Sequence, residues 1–566
     1  MANATPSRPT ATIRTLIADA VSDALRRAVE EGALPAEAMT QPTIEKPRDP
    51  KFGDFATNVA MTLAKPARKA PAAIARAIVD RMGEDGLFSK VEIANPGFIN
   101  VTLEDAWLQG NVKAILEAGE AYGKTDVAHG QAVMIEYVSA NPTGPLHVGH
   151  GRWAALGSTL ANLMSAAGYK VSQEFYINDA GNQMLNLGRS VLYRMEGRAI
   201  PEGEAGKEFY GGSTIFDVAG AAKNQIAGEL EGLDEAAKIQ RLTLFARDYF
   251  LAAQKATLAR IKVGFDVWYS ETTLHQKGEV QKAIAILKER GHMFEEGGAL
   301  WLRSTAFGDD KDRVVIRENG MPTYLAADIA YHLDKLQRTP KLLNIWGADH
   351  HGYVPRMKAA VQALGYPEDA LEVVIGQLVS LYRAGEPVRM SKRTGEMVTL
   401  DEVIDEVGPD AARFFLVMRS ADTPLDFDLE LAKQQTSDNP VFYVQYAHAR
   451  ICSILRNAEE AGFAPESLEG ADLSLLIHPD ERSLMLRLAS YPDEIAKAAL
   501  AREPHRIARY AQDLAADFHQ FYTNCRVLNP AEPELTRSRL SLSVASRITL
   551  ASALGGILGV QAPDRM

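Results

Sequence analysis

The sequence predicts a multidomain α/β protein: a doubly wound parallel sheet between a small N-terminal α+β domain and a C-terminal α-helical bundle. Three observations carry this. From about residue 131 to 377, short apolar runs alternate with helical patterns, as βαβ units do. Ahead of them, helical patterns and an alternating strand pair share one short segment. Beyond about residue 430 no strand-like stretch remains, and amphipathic helices follow one another.

In chain order, Ile13, Leu16, Ile17, Ala20, Val21 and Ala24 recur at helical spacing within residues 12–30, and KAPAAIARAIVDRM at 69–82 repeats the pattern. VEIANPGFINVTL alternates like a strand pair about Pro96-Gly97. This gives a first domain over residues 1–118. QAVMIEYV at 131–138 reads as a strand, SANPTGPL as a turn, and 148–167 as an alanine-rich helix. VSQEFYIND at 171–179 is a second strand and GNQMLNLGRSVLYRM a second helix. DRVVIRE (312–318), KLLNIWG (341–347) and LEVVIGQ (371–377) continue as strands, with helices near 325–337 and 353–365 between them. Residues of about 197–305 break the alternation and read as an insertion within a second domain over 119–429. The third domain, 430–566, holds helical patterns at 439–461, 480–501, 505–527 and 537–558.

Composition narrows the function classes. The 566 residues carry a formal charge of −12, with 46% hydrophobic and 24% charged residues, too apolar and too balanced for a disordered chain. Cys452 and Cys525 are the only cysteines, which excludes a disulfide scaffold and a cysteine-built zinc site. No uninterrupted apolar run reaches the roughly 18 residues of a membrane span, and the N-terminus lacks a signal-like apolar region. A cytoplasmic protein with no membrane partner is expected. Net acidity says little about nucleic acid, because basic patches can sit on an acidic chain.

The strongest local signal is PTGPLHVGH at 142–150, where the first strand of the sheet turns into its first helix. His147 and His150 are one helical turn apart on one face. The helix N-terminus offers unpaired backbone N–H groups and partial positive charge, a phosphate site. Gly149 lets a planar group approach the backbone. The second signal is RMSKRTG, Arg389 to Gly395, whose Ser391, Lys392 and Arg393 form a cationic clamp suited to pyrophosphate. Two other features carry less. The Gly119–Thr125 stretch has three residues between glycines where a P-loop needs four. His350-His351 lacks a third ligand at metal-binding spacing.

His147-Val-Gly-His150 with Met390-Ser391-Lys392 resembles the HIGH and KMSKS signatures of class I aminoacyl-tRNA synthetases. Within that class the chain is similar to the bacterial arginyl-tRNA synthetase family over essentially its whole length. IEYVSANPTGPLHVGHGR, FYINDAGNQM, MPTYLAADIAYH, YVQYAHAR and the terminal LGV…DRM carry the match. GDFATNVAM and NPGFIN resemble that family's appended N-terminal domain.

The resemblance implies a Rossmann-like catalytic domain that activates L-arginine with ATP to arginyl-adenylate and then charges the terminal adenosine of the arginine tRNA. His147, His150 and Lys392 would be catalytic. His147, Gly149, His150, Gly347, Ser391 and Lys392 would hold ATP. Magnesium would accompany ATP as its counter-ion, with no metal cage of the protein's own. Glu136, Asn141, Tyr324 and Asp328 would bind arginine, and carboxylates with an amide suit a planar guanidinium. Asp349 stands where several family members place glutamine, and Arg389 and Arg393 replace the outer residues of KMSKS. Asn95, Phe98 and Asn100 would approach the tRNA D-loop, and Tyr443, Tyr446, Arg450 and Met566 its anticodon side. Members of this family need bound tRNA before they activate arginine, and are usually monomers. Two other classes are a non-catalytic tRNA-binding paralogue, which would not need His147, His150 and Lys392, and a small-molecule adenylyltransferase, which would not need residues 1–118 or 430–566.

Overall fold

A computed structural model describes residues 12–83, 86–201, 206, 208–388, 398–464 and 470–566. At the N-terminus, helices Ile13–Glu30 and Pro71–Val79 bury their apolar faces against a sheet. Its strands are β1 (Ile44–Glu45), β2 (Phe55–Thr57), β3 (Phe88–Ala94) and β4 (Phe98–Leu103), in the antiparallel order β1-β2-β4-β3. Helix Asp105–Ala118 leads out of this unit.

The central sheet begins with β5 (Ala132–Glu136), β6 (Lys170–Ile177) and β7 (Val267–Ser270). A three-stranded antiparallel sheet follows, made of β8 (Met293–Glu296), β9 (Ala299–Leu302) and β10 (Arg313–Ile316). The chain then returns to the central sheet as β11 (Leu342–Gly347) and β12 (Leu371–Gly376). All five central strands are parallel, in the order β12-β11-β5-β6-β7. Strand order therefore reverses between β5 and β11. Ligands of open α/β sheets bind in the crevice at that point, beyond the carboxyl ends of the strands.

Two sequence expectations are corrected here. DRVVIRE forms a strand, but β10 pairs with β9 in the outlying sheet, because β-propensity does not specify a partner. Conversely β7 lies inside the span of about 197–305 read as an insertion, yet pairs with β6 as the edge of the central sheet. Among the described residues the interruption between β6 and β7 holds helices Asn182–Met195, Ser213–Gln225, Ala227–Leu230 and Glu235–Arg260, which share an apolar core.

A last small sheet joins β13 (Val379–Arg383), β14 (Glu386–Val388) and β15 (Leu425–Asp428). The bundle then stacks helices Pro440–Glu460, Pro479–Ala489, Tyr491–Ala501, His505–Asn524 and Pro533–Ala551. The pattern at 480–501 predicts one helix. The chain instead makes two, broken at Ser490 just before Pro492, which has no N–H to continue the ladder. By length and composition the stretch Pro533–Leu558 could cross a membrane, although arginines interrupt its apolar run. Most of its apolar window is buried as an inner helix of the bundle.

Candidate active site

The turn after β5 sets the site. His147 caps helix Val148–Ala166 with its own ring. Its Nδ1 accepts from the backbone N–H of Gly149 (3.1 Å) and of His150 (3.4 Å). In return the His147 N–H donates to Nδ1 of His150 at 3.3 Å. The two imidazoles stack with centroids 3.7 Å apart. A Cβ at Gly149 would come within 2.9 Å of the His147 ring, so the planar group this glycine admits is the neighbouring histidine.

These contacts revise how a phosphate would be held. The N–H of Val148 goes to the carbonyl of Val398, and those of Gly149 and His150 to the His147 ring. The unpaired backbone donors expected at this helix end are therefore occupied. What remains are the imidazoles themselves. Both Nδ1 atoms accept, so the network assigns the ring proton to Nε2. Burial lowers the His147 pKa, and burial with the neighbouring ring drives His150 down to about 3. At neutral pH the pair offers two uncharged N–H donors on a helix's positive end.

Arg152, in the first turns of the same helix, ties it to the segments that follow β12. Its guanidinium is fully buried and donates to four carbonyls, those of Gln377, Leu378, Ser420 and Thr423, at 2.7–3.3 Å. Leu400 N–H donates to the carbonyl of Leu146 at 2.8 Å, and Thr399 starts the next helix with a capping box to Glu402. The segment returning from the RMSKRTG loop is thus pinned beside the histidine pair. Arg389, Ser391, Lys392 and Arg393 themselves lie outside the described residues.

Beside the carboxyl end of β5, carboxylates gather. Glu136 ends β5 and is buried, with Oε2 2.5 Å from the Lys335 ammonium and Oε1 accepting from the Ser139 hydroxyl at 3.0 Å. Asp328, in helix Tyr324–Arg338, accepts from the Tyr353 hydroxyl. Burial pushes the Asp328 carboxyl up to about 6; the Tyr353 hydrogen bond and Lys335 oppose the rise, while Glu136 and Glu271 add to it. Glu271 directly follows β7, and burial raises its carboxyl as well. It interacts with the Tyr176 hydroxyl on β6 and lies 3.5 Å from His275.

Glu271, Tyr353, Tyr176 and Ser139 were not among the sequence candidates. The signal for Glu271 was its place at the carboxyl end of a strand, in VWYSE, hidden while that strand was read as insertion. Of the candidates, Tyr324 is 78% exposed at the start of its helix. Asn141 is exposed and donates to Gln183 at 3.1 Å. Gly347 ends β11, and the Asp349 carboxylate folds back over it, 3.5 Å from His350. Among the described residues no hydrogen bond or ion pair joins Asp349 to Glu136 or Asp328.

The remaining candidates lie at two distant surfaces. Asn95 and Phe98 are exposed at the β3–β4 turn, so Phe98 is not a core residue, whereas Asn100 is buried between β2 and β3 and has little surface to offer a partner. In the bundle, Arg450 donates to the Tyr446 hydroxyl at 2.6 Å and to Nδ1 of His519 at 3.3 Å, and lies over the Tyr446 and Tyr522 rings. Tyr443 packs on His519 with centroids 5.1 Å apart. Sequence reading missed His519 and Tyr522, whose helix runs far along the chain. The terminal segment crosses the same helix on another face: Gln445 donates to the Gln561 carbonyl, His448 bonds the Pro563 carbonyl and the Cys452 thiol donates to Asp564. Met566 ends it, 54% exposed. His448, Cys452 and Asp564 bring ligand atoms within 4.8 Å of one another. Their mutual contacts, with Arg547 against the thiol, read as an anchor for the tail.

Three family models match the chain: an arginyl tRNA synthetase N-terminal domain over residues 11–103, a class I (R) tRNA synthetase catalytic domain over 111–420 and a DALR anticodon binding domain over 444–566. An arginine–tRNA ligase of Heliobacterium modesticaldum is 50% identical, covering 98% of this chain and 99% of its own. One of Bacillus subtilis is 46% identical, covering 97% and 100%. The solved arginyl-tRNA synthetase of Thermus thermophilus superposes with a TM-score of 0.75 over 98% of this chain and 100% of its own, and at 24% identity it bears on the fold.

Proposed function

The chain belongs to the arginyl-tRNA synthetase family, and from that premise we propose that its stacked histidines receive the ATP phosphates while the carboxylates beside the end of β5 receive the arginine side chain. Its activity is that of an arginine–tRNA ligase using ATP. The observation that carries the site assignment is the pairing of two neutral imidazole donors after β5, at the sheet's switch point, with buried carboxylates at the carboxyl ends of β5 and β7 and on the helix that carries Asp328.

Glu136, Asp328 and Glu271, with Asn141 and the hydroxyls of Tyr353 and Tyr176, supply acceptors around a guanidinium that has five donors. Tyr324 contacts the arginine from the exposed start of its helix, and Asp349 is left a minor role. The arginine carboxylate oxygen attacks the α-phosphorus, the bond to the bridging oxygen breaks, and pyrophosphate leaves. The hydroxyl of the tRNA's terminal adenosine then attacks the activated carbonyl and AMP leaves. No general base is needed for the first step, because the nucleophile is already an anion. His147 and His150 donate through Nε2 to the phosphate oxygens as charge builds there, and Ser391 with Lys392 completes the clamp. Magnesium enters with ATP as part of the substrate.

Residues 1–118 take the D-loop side of the tRNA through Asn95 and Phe98, 119–429 carry the chemistry, and 430–566 take the anticodon side through Tyr443, Tyr446, Arg450 and Met566. A monomer working in the cytoplasm, and a requirement for bound tRNA before arginine is activated, complete the reading. The test is arginine-dependent ATP–pyrophosphate exchange with and without the arginine tRNA, with lysine and glutamine as controls. Exchange with arginine alone, and only when tRNA is present, is the expected result. Tight tRNA binding without exchange in either condition would instead point to a non-catalytic paralogue.

A further inference from the structure

Lys335 is a fully buried lysine placed among the pocket's acids. Its ammonium lies 2.5 Å from Glu136 Oε2 and 3.2 Å from Asn344 Oδ1, and sits over the Tyr331 ring at 4.3 Å. The contacts continue in one direction. Asn344 donates its amide to Nε2 of His332 at 2.9 Å, so the His332 proton is on Nδ1, which donates to the carbonyl of Asp328 at 2.8 Å. One cation therefore ties the end of β5, the middle of β11 and the turn of helix that carries Asp328.

We propose that Lys335 is a positioning residue of the arginine pocket: it fixes the Glu136 carboxylate and supplies the counter-charge that leaves Asp328 free for the guanidinium. Three carboxylates converge here. Without an internal cation they would hold one another protonated, as close like charges do. With Lys335 matched to Glu136, the charge still open to a ligand belongs to Asp328 and Glu271. The groups facing Asp328 are Glu136 from β5, Tyr176 from β6, Glu271 from the helix after β7, Tyr353 backed by Arg356, and Lys335 and His332 from its own helix. Lys335 lowers the Asp328 pKa while Glu136 raises it, so removing each should move it in opposite directions.

This inference rests on the arginine pocket proposed above, and the experiment separates the two. The kcat/KM for arginine is measured by tRNA-supported pyrophosphate exchange from about pH 5 to about pH 9, for the unaltered protein, Lys335→Met, Glu136→Gln, the double variant and Asp328→Asn. The expected result is an acidic limb displaced upward by about one pH unit in Lys335→Met, downward in Glu136→Gln, and back near its original place in the double variant. A merely structural lysine would change rates without this pattern. Limbs unmoved in all three, with arginine saturation lost in Asp328→Asn, would overturn the role of Lys335 and leave the pocket standing. Unchanged arginine kinetics in Asp328→Asn would overturn the pocket itself. If Lys335→Met does not fold, Lys335→Arg should keep the limb in place while Glu136→Gln lowers it, and a limb displaced in Lys335→Arg or unmoved in Glu136→Gln would overturn the proposal.

Discussion

The carboxylate pocket and the aromatic face of helix Pro440–Glu460 use opposite physics. In the pocket, ionisable groups are buried and organised around Lys335, and a carboxyl titrates near 6. On the helix face, Tyr446 and Tyr522 remain partly exposed, Arg450 lies over both, and burial and Arg450 hold His519 down to about 4. On the function proposed above, one surface selects a charged group by desolvated hydrogen bonds and the other stacks on unpaired bases. The difference teaches where selectivity is stored. A buried site left with unpaired partners rejects the wrong ligand strongly, whereas a stacking face tolerates change.

The largest effect should come from Asp328→Asn, which keeps shape and removes charge. The kcat/KM for arginine is expected to fall by about 100-fold or more, with tRNA affinity measured by filter binding unchanged. A parallel loss of tRNA binding would break the separation between the two surfaces. Tyr446→Ala should act on the other side alone. Loss of one stacking partner and of the Arg450 hydrogen bond should raise the tRNA KM by about tenfold, with the arginine KM in exchange assays unmoved.

Acid sharpens the contrast. Asp328 is charged above about pH 6 and neutral below it, so lowering the pH from about 7.5 to about 5.5 should reduce kcat/KM for arginine about fourfold. His519 stays neutral over that whole range. The tRNA dissociation constant at fixed ionic strength should therefore change by less than about twofold.

Much of this arrangement was legible in the sequence, and the failures share a cause. β5, β11 and β12 stand out because apolar runs of buried parallel strands are near-continuous, and β6, which is more polar, stands out by its place between two helical patterns. The four residues of β7 are half-buried at the sheet's edge and framed by helices, so no run marked them, and Glu271 was lost with them. β10 was seen as a strand but given to the wrong sheet, since pattern reports a strand and pairing decides its sheet. His147 and His150 were legible as a pair. That their rings would consume the helix's own N–H groups was not, because it depends on the side-chain geometry at the cap. Lys335 carries no sequence signal of its own; only the packing of β5 and β11 beneath it shows that it faces inward.

The smallest expected effect follows from the state of the pocket before arginine arrives. The Asp328 pKa is raised above its ordinary value of 3.8 in the folded protein. Its stabilising contribution is therefore present below about pH 4 and lost as pH rises through about 6. Above that pH the pocket carries an ionised, desolvated carboxylate that makes no ion pair among the described residues, and a bound guanidinium supplies one. Saturating arginine should thus raise the melting temperature more at about pH 7.5 than at about pH 5.5, by about 1–2 °C in differential scanning fluorimetry. Lysine, a point charge without the planar fork, should not reproduce the difference. An equal shift at both pH values would mean that arginine binding does not draw on the ionisation of Asp328, and the pocket would then recognise its ligand as the aromatic face does, by shape and stacking more than by charge.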